Sequence, residues 1–169
     1  DLNDGVTVAR LAEGVSHILH FGGISIDMPF ETVLGPNLRG LHHIYEAARR
    51  EGARVAFASS NHSVGFHARP EAGGEKLDVD CQFRPDSFYW DKHGVENVNY
   101  RIGSCFPEPI DRRMLSTWLS YGDLLDLVQA TLAAPRLGHS VIWACSANPE
   151  SFWGADHRER LGWAPLDSA

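Results

Sequence analysis

Apolar residues run without a break from Val55 to Ala58 and then give way to Ser59-Ser60-Asn61-His62, hydrogen-bonding side chains in a row. A short apolar run of this kind, led in by Arg54, reads as a buried strand that turns polar at its carboxyl end. The same switch occurs twice more. Val15 to Phe21 reads as a strand that breaks into Gly22-Gly23-Ile24-Ser25, where glycine lets the backbone turn tightly. The stretch from Val95 to Gly103 reads as a third, Asn97-Val98-Asn99-Tyr100-Arg101-Ile102, ending in Gly103-Ser104. Helical spacing appears between Pro29 and Arg50, at Leu38, Leu41, Ile44, Tyr45 and Ala48, with Pro36 a kink or restart and Gly52 the stop. Gly5 to Gly14, with Val6, Leu11 and the alanines as apolar positions, predicts a short amphipathic helix. Tyr121 to Ala134 predicts a stronger one stopped by Pro135, Val141 to Ala144 a short strand, and Ser151 to Gly162 a last helix. Arg112 to Trp118 is expected to be an ordered loop, and His67 to Pro85 has loop composition.

Alternating β and α units argue for an α/β fold, a Rossmann-type parallel sheet with helices on both faces. In such sheets ligands sit outside the carboxyl ends of the strands. Chemistry is therefore expected at Gly22 to Ser25, Ser59 to His62, and Ser104 onward. One step does not fit a complete sheet: a parallel crossover into Asn97–Ile102 needs a helix, and only Asp86 to His93 is free for one. The start, Asp1-Leu2-Asn3-Asp4, reads as the middle of a domain.

With 169 residues, 43% of them hydrophobic, a single domain spanning 1–169 is expected. A formal net charge of -7 argues against nucleic acid or an anionic membrane as partner. Cys81, Cys105 and Cys145 lack Cys-x-x-Cys spacing, so neither a disulfide framework nor a thiolate zinc site is indicated, and a reducing cytoplasm is the expected compartment. No run has membrane-spanning length.

Taken in order, His20-Phe21-Gly22-Gly23-Ile24-Ser25, Phe57-Ala58-Ser59-Ser60-Asn61-His62, Arg101-Ile102-Gly103-Ser104-Cys105 and Arg113-Met114-Leu115-Ser116-Thr117-Trp118 resemble the uronate dehydrogenases, members of the extended short-chain dehydrogenase group. The resemblance implies hydride transfer from C1 of a cyclic hexuronate, glucuronate or galacturonate, to NAD, giving the aldarolactone. It also implies roles. Ser60 completes the proton-transfer arrangement with a tyrosine base. Ser25, Ser60, Asn61, His62 and Ser104 contact substrate, and Arg113 holds the sugar carboxylate, a task suited to a planar fork of donors. Asp1 and Leu2 match adenine-side positions; Phe21, Gly22, Gly23, Asn37, Ala58, Ser59 and Ile102 match positions lining the dinucleotide.

Two features of the pattern are missing: the glycine-rich pyrophosphate turn and a complete Tyr-x-x-x-Lys helix. Tyr89 is either the catalytic tyrosine or a later one preceding Trp-Asp-Lys-His-Gly. Lys92 lies three residues after it, and His93 occupies the fourth place where a lysine would lower the phenol's pKa. Little uronate oxidation is therefore expected from the chain as it stands. Exposed sheet edge and apolar surface would also favour homo-oligomers.

Plainer readings stand beside these. Gly22-Gly23 also suits an ordinary turn, Asn61 a cap, and Arg112-Arg113 a solvated pair. His62 lacks partners at ligand spacing, so no metal site is expected. His17, His20, His42 and His43 read as packing or surface residues, and Trp118, Trp143, Trp153 and Trp163 as core or interface aromatics. A nucleotide-sugar epimerase or dehydratase of the same fold, and a non-catalytic interaction module, are the rival functions.

Overall fold

The computed structural model describes residues 1–26, 28–60, 76, 78–79 and 93–169. Asn61, His62 and Tyr89 lie outside these residues, as do Cys81 and Lys92.

The first helix, α1 (Gly5–Leu11), starts where the Asp4 carboxylate accepts hydrogen bonds from the amides of Val6 and Thr7, both at 3.1 Å. Its buried face carries Val8 and Ala12, while Val6 and Leu11 are exposed. The helix was expected; of the apolar positions read for it, Ala12 is buried but Val6 and Leu11 are not. Strand β1 (His17–His20) is shorter than the predicted Val15 to Phe21. Next come α2 (Phe30–Val33), a π-helical segment (Leu34–Arg39) that accommodates Pro36, and α3 (Gly40–Glu51), which ends on Gly52 at φ 65°, a left-handed position that suits glycine.

Strand β2 runs from Arg54 to Ser60, two residues beyond the apolar stretch, and β3 covers Asn97–Ile102 as predicted. The expected loop at 112–118 is a short helix, α4 (Met114–Thr117), leading into β5 (Trp118–Leu119), which pairs in parallel with β4 (Ser104–Cys105). Helix α5 (Tyr121–Ala133) then starts from a Ser120 cap, and β6 (His139–Ala144) is two residues longer at its start than read.

The helix expected over Ser151 to Gly162 is only a 3₁₀ turn at Arg158–Leu161. Tertiary bonds explain this. Residues 153–157 run beside β6 and satisfy its outer edge: Asp156 accepts from the Trp143 amide at 2.9 Å, the Val141 amide donates to His157 Nδ1 at 3.0 Å, and the His157 amide donates to Val141 O at 3.1 Å. Trp153 meanwhile stacks on Trp143 at 4.4 Å. A helix here would forfeit these partners.

Strands β1-β2-β3-β6 form one sheet in that order, every pair parallel. Alternation of side chains sends Ala56, Val98, Tyr100, Ile142 and Ala144 into a core with Leu127 of α5, Leu161 and Trp163. Ile18, Val55 and Phe57 face the other way, against Val8, Ala12, Ile44, Tyr45 and Ala48 of α1 and α3. Trp118, Trp143, Trp153 and Trp163 are all buried, in keeping with their reading as core aromatics. Among the described residues, no helix is long and apolar enough to cross a membrane.

Candidate functional site

Because all four strands run the same way, the ends of β1, β2 and β3 share one edge. Ser60 closes β2 in register with Ile102 of β3, and Ala58 and Ser59 pair with Tyr100 and Arg101. Ala58, Ser59 and Ile102 are half-buried and Ser60 is exposed, so the strand ends open outward.

Beyond β1, Phe21, Gly22, Gly23 and Ser25 are exposed in a loop held by one side chain. The Asn37 amide accepts from Ile24 N–H at 2.7 Å and donates to Ile24 O at 2.9 Å. Gly23 has a φ of 146°, and a Cβ there would lie 3.1 Å from the Asn37 oxygen, so the turn requires glycine. Both polar atoms of Asn37 are engaged in pinning the loop, a role not visible in the sequence pattern. Below the turn His20 is buried and stacks on Phe57 at 5.6 Å, and burial lowers its pKa from the usual 6.5.

Leu2 lies against the same turn: a Cβ on Gly22 would meet its Cδ1 at 3.1 Å, and one on Gly40 its Cβ at 2.7 Å. His43 Nδ1 bonds Leu2 O at 2.9 Å, which fixes this segment on α3. Asp1 and Leu2 also line an apolar cleft with Val8, Leu11, Ile18 and Ile44. The cleft extends to Val15 and His17 at the amino end of β1.

At the end of β3, Gly103 carries the chain so close to Thr117 that a Cβ would lie 2.0 Å from the Thr117 carbonyl oxygen. Ser104 is buried, with its hydroxyl 3.1 Å from the Thr117 hydroxyl, and Thr117 Oγ1 donates to Arg113 O at 3.2 Å. Arg113 itself is exposed at the amino end of α4. Short as it is, α4 is fastened on several sides. The Trp153 indole donates to Ser116 O at 3.0 Å, the Glu150 amide to Leu115 O at 3.0 Å, and Asp111 accepts from the Met114 amide at 3.0 Å. Thr117 and Gly103 stand in the quoted motifs, but the sequence assigned neither a role of its own; the Gly-Ser and Ser-Thr pairs were the available signal.

A hydroxyl oxidation needs a base, and the described tyrosines bear on that. Tyr100 is buried, donates to Thr131 at 2.7 Å, and burial pushes its pKa up to about 12, which disqualifies it. Burial likewise pushes the Cys145 thiol up to about 12 and raises that of Cys105, so neither is an activated nucleophile. A second, polar cleft lined by His17, Arg49, Arg54, His93 and Glu96 lies at the opposite, amino-terminal edge of the sheet, away from the candidate site.

Comparison with known proteins agrees with this architecture. No family model matches the chain. The uronate dehydrogenase of Pseudomonas syringae pv. tomato is 47% identical over the whole chain, which covers 66% of that protein, and that of Pseudomonas putida is 44% identical with 67% covered. A tyrosine-to-alanine variant of Agrobacterium tumefaciens uronate dehydrogenase, solved with NAD, superposes with a TM-score of 0.88 at 42% identity, covering all of this chain and 68% of that one. The chain thus spans about two thirds of the length of the curated relatives it matches. Identity at this level, over the whole chain and on the same parallel sheet, settles the kinship: the chain belongs to the uronate dehydrogenase family of NAD-linked oxidoreductases.

Proposed function

We propose that this chain, as a single partial domain over 1–169, provides the substrate site and part of the dinucleotide surface for oxidation of glucuronate or galacturonate at C1 to the aldarolactone. The observation that supports this reading is the shared edge: the Asn37-pinned glycine turn, Ser60 in register with Ile102, and Arg113 tied through Thr117 to Ser104. In the reaction the C1–H bond breaks, its electron pair leaves as hydride, the hydroxyl proton goes to a base, and a carbonyl forms. NAD, when bound, supplies the hydride acceptor. The chain's own residues hold the sugar.

In this reading the Arg113 guanidinium grips the carboxylate with two parallel donors, which selects a uronate over the neutral sugar. Ser60 relays the hydroxyl proton. Ser25, Asn61, His62 and Ser104 bond the ring hydroxyls. Asp1, Leu2, Phe21, Gly22, Gly23, Ala58, Ser59 and Ile102 face the dinucleotide, and Asn37 serves it by fixing the turn. Tyr89 is the base that resemblance offers, but with His93 at the fourth place its phenol lacks the lysine that would lower its pKa. Cytoplasmic residence and self-association complete the proposal.

Titration calorimetry of galacturonate, glucuronate, glucose and UDP-glucuronate against the purified chain with NAD tests it. The free uronates are expected to bind and glucose to bind at least ten-fold more weakly; a preference for the nucleotide sugar would overturn the reading. Formation of NADH, followed by absorbance, is expected to stay far below the ordinary enzyme range of 1 to ~10³ per second, because an unassisted phenol is protonated at pH 7. Turnover within that range would show that a different base operates.

A further inference from the structure

The Ser104 and Thr117 hydroxyls lie 3.1 Å apart, and the two residues are only 5% and 4% exposed. A threonine hydroxyl has one proton to give. Thr117 donates its proton to Arg113 O at 3.2 Å, so the hydrogen bond with Ser104 must run the other way, from Ser104 Oγ to Thr117 Oγ1. That arrangement spends the Ser104 proton inside the protein. What Ser104 has left are lone pairs.

From this we infer that Thr117 is a positioning residue with two linked effects: it turns Ser104 into a hydrogen-bond acceptor for a sugar hydroxyl, and it sets the backbone of Arg113 relative to that acceptor. The inference rests on the proposed uronate site and adds to it the polarity of one contact and the residue responsible. Its first consequence concerns specificity. A hydroxyl on the ring can donate to Ser104, whereas an ether or methylated oxygen at the same place offers only lone pairs against lone pairs. Its second consequence concerns geometry. The Arg113 carbonyl already accepts from the Ser116 amide at 3.1 Å, and the Thr117 hydroxyl adds a second bond that ties the first turn of α4 to the β3 end. Thr117 is well placed to transmit position because its own main chain is fixed: Cys145 Sγ lies 3.6 Å from its carbonyl oxygen, and Gly103 packs against it too closely for any side chain.

The test is a double-mutant cycle read by calorimetry of galacturonate binding to the 169-residue chain in the presence of NAD. Thr117→Val keeps the shape and removes the hydroxyl; Thr117→Ser keeps the hydroxyl. Thr117→Val is expected to weaken galacturonate about ten-fold while NAD affinity changes less than two-fold, and Thr117→Ser is expected to restore binding to within about two-fold of the parent. Combining Thr117→Val with Ser104→Ala should cost little more than either alone, since both cut the same path. Galacturonate affinity unchanged in Thr117→Val, or additive losses in the double variant, would overturn the inference. Should Thr117→Val not fold, Thr117→Ala is read by the same criteria. Arg113→Ala separates the two levels: if it leaves galacturonate binding intact, the uronate reading itself fails and the inference falls with it.

Discussion

Gly103 shows how much of the site depends on a missing atom. Its ideal Cβ would lie 2.0 Å from Thr117 O and 2.9 Å from Cys145 Sγ, and the first of these is backbone that has no rotamer to change. Gly103→Ala must therefore push β4 away from α4. The expected cost is about 1–3 kcal/mol or more, the usual penalty for forcing atoms into packed space, seen as a lower midpoint in chemical denaturation. Uronate affinity should fall with it, because Ser104 is the next residue. A variant as stable as the parent would mean that the β3–β4 corner gives way more easily than its geometry implies.

Among the elements, α4 and the strip beside β6 behave alike: each is short, and each is specified by partners far away in sequence. Met114 to Thr117 is too brief to be stable alone, since helix nucleation costs more than four residues return. Trp153, Glu150 and Ser104 supply what the local sequence lacks. Along β6, Asp156 does the work of a neighbouring strand by accepting the Trp143 amide, and it is held in place by Arg158 at 2.8 Å. Asp156→Ala would leave a buried amide without its acceptor. A loss of about 1–3 kcal/mol is expected in urea denaturation, together with faster hydrogen exchange at the Trp143 amide. Unchanged exchange there would show that another acceptor takes over.

At the scale of the whole molecule, two titratable groups, one buried and one partly buried, predict sensitivity to acid. Burial lowers the His20 pKa below 6.5, so below pH 6.5 the unfolded chain takes up a proton that the folded one resists, and stability begins to fall. Glu96 follows at lower pH. Burial alone would raise its pKa, but the amides of Gly138 and Leu137 and the Arg54 guanidinium hold it below 4.5, so its contribution is present above pH 4.5 and lost as the pH falls through the lower folded value. Thermal midpoints measured from pH 8 to 4 should decline from about pH 6.5 downward, and His20→Gln should flatten the first part of that decline; a flat profile over pH 6.5–5 would contradict the buried, neutral His20. By itself the sequence determined the parallel α/β sheet, the polar strand ends, and the boundaries of β3 and α5, because a strand shows itself as an apolar run, as in β2, or as a period of two, as in β3, and a half-buried helix imposes its own period. The four motifs also carried the family. It missed that α1 buries Val8 rather than Val6 and Leu11, that 112–118 is helix then strand, and that 151–162 is only one 3₁₀ turn. It likewise gave no hint that Asn37 pins the turn or that Thr117 orients Ser104. In each case the deciding partner lies 13 or more residues away or on another element, as with Ile24 for Asn37, Ser104 for Thr117, and Trp143 for Asp156, and a contact of that kind leaves no local periodicity in the chain.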